Sequence, residues 1–213
     1  MAVLQLRILA PLLVVLLAGC AAMDAGVQDD PDVDAQERER LFEERRAALE
    51  QVETWRATGR AGITTPRERV SLSLDWREAP EGYRIDLRGP MGSGSVRLEE
   101  GPESVTLRHA DGRTDRAADA GELLRRFAGL DLPVEVLRWW LRGLPAPGPE
   151  PEVLELDSAG RITLLEQAGW RVEYDGWQSD ATTALPASLT LEGGDIAVRA
   201  VISEWEHDVG PGI

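Results

Sequence analysis

From Arg69 to Arg77 the chain reads RVSLSLDWR, and polar and apolar residues alternate without a break. Val70, Leu72, Leu74 and Trp76 fall on one side, with Arg69, Ser71, Ser73, Asp75 and Arg77 on the other. A period of two is the signature of a strand with one buried and one wet face. The same alternation returns in GYRIDLRG through Tyr83, Ile85 and Leu87, in SVRLE through Val96 and Leu98, and in SVTLRH through Val105 and Leu107. Short turns separate these runs, at Ala79-Pro80-Glu81-Gly82 and Ala110-Asp111-Gly112. They predict consecutive antiparallel strands. After residue 150 the pattern resumes in VLELD, GRITLLEQ, WRVEYDGW, ASLTLEG and DIAVRAVISEW.

Helical spacing occurs only at the start and once in the middle. AQERERLFEERRAALEQVETW (35–55) places Leu41, Ala48, Val52 and Trp55 near one face, with Phe42 and Leu49 beside them. Asp119-Ala120-Gly121-Glu122 has the form of a capping box and opens a short helix carrying Leu123, Leu124 and Phe127. Pro133 suits the first turn of another, VEVLRWWLRG, which Gly143 ends. The total is about ten or eleven strands, and an antiparallel sheet of that size curls. The central helices then cover its concave apolar side. The predicted architecture is mainly β (α+β): an unclosed antiparallel β-barrel with an α-helical lid enclosing an apolar cavity.

The termini set the address. MAVLQLRILAPLLVVLLAGC carries one positive charge and an apolar run too short to span a bilayer, which needs about 20 residues. It has the form of a secretory signal over residues 1–19. Ala18-Gly19 before Cys20 resembles the lipobox of bacterial lipoproteins, in which the cysteine becomes the lipidated first residue. Ala21 is not the aspartate that keeps many lipoproteins in the inner membrane, so the expected location is the periplasmic face of the outer membrane, anchored through Cys20. Residues 20–34 hold five aspartates and no cation, and form an acidic tether. The folded domain is expected over 35–206 and a tail over 207–213.

Composition removes several classes of function. The formal charge is −15, which argues against nucleic acid as a partner. All basic residues are arginine, so there is no lysine for a P-loop, a Schiff base or a general base. Cys20 is the only cysteine, which leaves no intramolecular disulfide and no thiolate metal site. His109 reads as a strand residue and His207 as part of the tail, with no metal-ligand spacing between them. No cofactor, metal or catalytic constellation is expected, and the seven tryptophans are the informative excess. Trp139 and Trp140, adjacent on a helix, cannot both face the sheet.

One turn stands out. GPMGSGSV (89–96) has the glycines and proline of a loop, yet carries Met91 at its middle. Taken with the Trp55-to-Gly59 entry, the strand ending in Trp76, LPVEVLRWWLRGLP at 132–145, Gln167-Ala168-Gly169-Trp170 with Tyr174, Leu185-Pro186 and the late Ile202-x-x-Trp205, this succession resembles the LolB family from about residue 36 to 205. The resemblance implies an outer-membrane receptor without enzymatic activity. It would accept acylated lipoprotein cargo from a LolA-type periplasmic carrier and insert it into outer-membrane lipid. It also implies an apolar residue, usually leucine, protruding from a Pro-Leu-Gly loop; Pro90, Met91 and Gly92 occupy that place.

Strand phase assigns Leu72, Leu74, Trp76, Ile85, Leu87, Val96 and Leu98 to the cavity floor, and Leu123, Phe127, Leu137 and Trp140 to the lid. The protein is expected to act as a monomer. A soluble carrier of the same fold would lack Cys20, and an envelope scaffold lipoprotein would have a filled core and no affinity for acyl chains.

Overall fold

The computed structural model describes residues 35–90, 94–179, 181 and 183–207. Eleven strands form a single antiparallel sheet in the order β6-β5-β4-β3-β2-β1-β11-β10-β9-β8-β7, so the chain meanders from the centre out to one edge and then from the other edge back to the centre. β1 (Trp55–Thr64), β2 (Arg69–Ala79), β3 (Gly82–Arg88), β4 (Ser95–Glu100), β5 (Val105–His109) and β6 (Thr114–Ala117) make one half. β7 (Val153–Leu156), β8 (Ile162–Gln167), β9 (Trp170–Trp177), β10 (Pro186–Gly193) and β11 (Ile196–His207) make the other. The outermost strands, β6 and β7, do not pair with each other, and the barrel stays open.

α1 (Ala35–Glu50) is polar almost all round and is braced by pairs one turn apart, Arg40 with Glu37 and Glu44 and Arg46 with Glu43. It buries only Phe42, Arg45 and Leu49. The helix stops at Glu50; Trp55 starts β1 instead of ending α1, because a fully buried indole paired into the sheet outweighs a frayed last turn. His207 likewise belongs to the sheet, as the last residue of β11 opposite Trp55. β6, unmarked by any apolar alternation in Thr114–Ala117, forms because β5 offers it an edge.

The antiparallel order places the turns at two ends. The β1–β2, β3–β4, β5–β6, β8–β9 and β10–β11 connections share one end, called here the free end. α1 and the 141–145 segment cover the opposite, closed end, where Leu49, Leu144 and Leu185 form a small cluster. Over the concave face lie α2 (Ala120–Ala128) and α3 (Val134–Trp140). Asp119 caps α2, accepting the Glu122 N–H at 2.7 Å, and Glu135 of α3 accepts the Ala120 N–H at 3.1 Å. The lid helices are thereby tied to each other. Among the described residues no helix is long and apolar enough to cross a membrane.

Candidate functional site: an apolar cavity under the lid

The inward residues of the central strands meet in rungs. Ala57, Trp76, Ile85 and Leu98 make one rung, and Gly59, Leu74, Leu87 and Val96 the next. Toward the free end, Ala61 sits between Leu72 and Ala200, and Ile63 faces Val198, which faces Leu191. Between this floor and the lid lies a cavity of about 90 Å³ whose lining residues are all apolar. A water needs roughly 10–15 Å³ together with two or more polar partners. The space is large enough for water but offers nothing to bond it, so its chemistry suits hydrocarbon rather than water.

Of the expected floor residues, Leu74, Trp76, Ile85, Leu87 and Leu98 line this cavity, and Leu137 lines it from the lid. Leu72 and Val96 share the inward face but stand outside the lining, half-buried; Val96 is flanked by Leu87 and His109. The lid is rotated from the phase read in the sequence. Leu124 lines the cavity while Leu123 is buried in the continuous core behind it, since neighbours on a helix diverge by about 100°. Phe127 is 41% exposed and meets the His109 ring edge-on at 5.4 Å. Trp140 turns away from the cavity: its indole N–H donates to Gln167 Oε1 at 2.9 Å, and Leu141 takes the lining position.

The strand alternation could have yielded Leu189, Leu191, Val198 and Ala200, had the pairing of β11 with β1 been known. Ala61 and Ala200 carried no local signal. They matter because they are small: side by side on β1 and β11, they leave the floor low where neighbouring rungs carry leucine and tryptophan.

Buried polar groups are concentrated at the closed end. Arg45 donates to Ala184 O at 2.7 Å and Arg142 O at 3.1 Å and stacks over Trp177, with its guanidinium carbon 4.6 Å from the ring centre. Burial pushes its pKa down to about 10. Arg142 returns the contact by donating to Leu49 O and Val52 O, and burial lowers its pKa too. Arg138 of α3 pairs with Glu78 and Glu100 on the barrel, and burial raises the Glu78 carboxyl above its usual range. Tyr174 donates to Trp140 O at 2.8 Å. The far end of the lid is thus fastened to α1 and to the sheet.

The free end is more open. One rung beyond Ile63, Leu191 and Val198, a groove of about 830 Å³ runs between Thr65–Glu68, the end of α2 and the β10–β11 turn. Trp170 floors one side, lying so close over Gly193 that a Cβ there would stand 2.4 Å from the indole. At this same end the Gly89 N–H donates to Gly94 O at 2.9 Å, closing the neck of the β3–β4 loop, with Pro90 exposed just beyond it. Met91 and Gly92 lie outside the described residues. So do Cys20, the signal and tether segments, and residues 208–213.

The fold is an unclosed antiparallel half-barrel whose helical lid covers an apolar cavity. Residues 53–205 match the family model described as outer membrane lipoprotein LolB. The chain is 44% identical over 198 residues to the outer-membrane lipoprotein LolB of Alkalilimnicola ehrlichii, covering 93% of this chain and 95% of that protein. It is 41% identical over 202 residues to that of Halorhodospira halophila, covering 94% and 95%. A putative outer membrane lipoprotein-sorting protein domain from Vibrio parahaemolyticus shares the fold, with a TM-score of 0.52 at 12% identity over 84% of this chain and 95% of that one. The chain belongs to the LolB family of outer-membrane lipoproteins, and its work lies in lipoprotein trafficking.

Proposed function

We propose that the protein, anchored by a lipidated Cys20, accepts lipoproteins from a LolA-type periplasmic carrier and releases them into outer-membrane lipid. The observation that carries this reading is the apolar cavity under the lid. Three acyl chains hold on the order of 45 methylenes, and at about 0.8 kcal/mol each their exposure to water would cost up to roughly 35 kcal/mol. Free diffusion is excluded on that scale, so cargo must pass from one apolar cavity to another. A scaffold with a filled core would not need such a site.

The cavity is small beside three chains, so loading requires the lid to move. Arg138 and Arg142 hold α3 to the closed end, while Tyr174 and Gln167 tie Trp140 to β9 and β8. Opening therefore falls to α2 and the 129–133 connection, which border the free-end groove. The protein catalyses no covalent step; transfer runs downhill in affinity from carrier to receptor to bilayer.

Met91 is the proposed membrane probe. Met91 follows Pro90 in sequence, just past the neck that the Gly89–Gly94 hydrogen bond closes at the free end, and an apolar side chain there would enter the acyl boundary during release. A reconstituted transfer assay tests both steps: loaded carrier is mixed with the receptor, and then with liposomes. Met91→Glu should leave uptake from the carrier within twofold of wild type and reduce delivery into liposomes severalfold. If the wild-type receptor strips no cargo from the carrier, the receptor reading is wrong; equal loss of both steps in the variant removes the special role of Met91.

A further inference from the structure

In a chain with a formal charge of −15, the outer face of β1–β3 next to the free end lacks any carboxylate. Its outward strand positions are Arg60, Gly62 and Thr64 on β1, Arg69, Ser71 and Ser73 on β2, and Arg88 on β3, beside Ser95 on β4. Arg60, Arg69 and Arg88 are exposed, and among the described residues none of them forms an ion pair; Arg69 Nε donates only to Thr64 Oγ1, at 3.3 Å. Carboxylates return in the next rungs toward the closed end, and there each is matched. Asp75 accepts from Arg56 at 2.9 Å, Asp86 from Arg97 at 2.7 Å, and Glu99 from Arg84 at 2.8 Å. Glu68 belongs to the β1–β2 turn, beside Arg67, and not to the strand positions of this face.

The spacing follows from the register. Arg60 and Arg88 flank Ser73 on opposite sides, two strand spacings or about 10 Å apart. Arg69 lies four residues from Ser73 along β2, about 13 Å. Three unneutralised guanidiniums therefore stand at the corners of a triangle on a floor of serine and threonine. Guanidinium binds phosphate through two parallel hydrogen bonds, so three unpaired arginines suit a surface of phosphate headgroups.

We propose that this face is a docking surface for anionic phospholipid headgroups, which turns the free end of the barrel toward the bilayer. The proposal rests on the receptor reading only in taking the free end as the delivering end.

The test uses the chain from residue 21 onward, which keeps every described residue but lacks the acyl anchor. Binding is measured by sedimentation with vesicles of phosphatidylcholine mixed with phosphatidylglycerol, and with vesicles of phosphatidylcholine alone, at low and high salt. Each arginine near an anionic leaflet is worth roughly fivefold in partitioning. The triple variant Arg60→Gln/Arg69→Gln/Arg88→Gln should thus lose at least tenfold in affinity for the mixed vesicles. Arg84→Gln/Arg116→Gln/Arg171→Gln changes the net charge equally but lies outside this cluster, and it should stay within about threefold of wild type.

Equal loss in the two triples would overturn the proposal, as would wild-type binding that ignores lipid charge or salt. Unchanged vesicle affinity combined with lost affinity for the carrier would overturn it in favour of a protein partner. An acyl-chain fluorophore read in parallel should be bound alike by all three proteins. Docking without fluorophore binding in wild type would sink the receptor reading and leave the docking surface standing.

Discussion

Ala168 is a residue placed where its own backbone resists. It sits at φ 54°, followed by Gly169 at φ 76°, in the two-residue loop that joins the paired ends Gln167 and Trp170. Both loop positions of such a primed turn need positive φ, which suits glycine and asparagine and strains a residue carrying Cβ. Ala168→Gly relieves the strain at some cost in unfolded-chain entropy, for a net gain of about 0.5–1 kcal/mol. In a domain of this size that corresponds to a rise in melting temperature of about 2 °C. A calorimetric scan giving an unchanged or lower midpoint would show that the turn is not strained. Alternation marks the strands on either side of this loop, but a period of two says nothing about backbone sign in the turn between them.

At the scale of elements, the sheet was legible and the lid was only half so. Each strand of four or more alternating residues announces its buried face, because a slip of one residue would turn all its leucines to water. The register then follows from short turns between neighbours. β6 escaped because Thr114–Ala117 has no apolar rhythm, and its pairing is supplied by β5. In the lid, helices of nine and seven residues carry adjacent apolar pairs, Leu123-Leu124 and Trp140-Leu141, so composition fits either rotation. What fixes the rotation is a polar contact distant in sequence. Gln167, buried on β8, accepts from Trp140 Nε1 and Ala146 N and donates to Ala146 O and Pro149 O. It thus pins the end of α3 and the loop Pro145–Pro151, which holds four prolines, to the sheet. Gln167→Leu would fill the space but leave those groups buried and unpaired. Each such loss costs about 1–3 kcal/mol, and partial relaxation brings the expected total to about 2–4 kcal/mol. Urea unfolding measures it; a change below about 1 kcal/mol would mean that the loop, and not Gln167, sets the orientation of Trp140.

At the scale of the whole molecule, the anchor and the site must be compatible. α1 lies against the closed end, whereas release is assigned to the free end. Residues 20–34 can reach at most about 50 Å when extended, while the longest strand, β11, spans only about 40 Å. A receptor anchored at Cys20 can therefore turn its free end back to the bilayer that holds it. An acyl-chain site and a packing gap respond differently to a change at the paired alanines of the floor. Ala61 and Ala200 face one another across β1 and β11, both buried, under the open space. Filling a void that already exists avoids the strain of overpacking a dense core. Ala200→Phe should keep or slightly raise the melting temperature while lowering the affinity for an acyl-chain fluorophore at least tenfold. It should also slow uptake of cargo from the carrier to match. If the variant folds and binds acyl chains as wild type does, the chains lie elsewhere, and the space beneath the lid is a gap in the core.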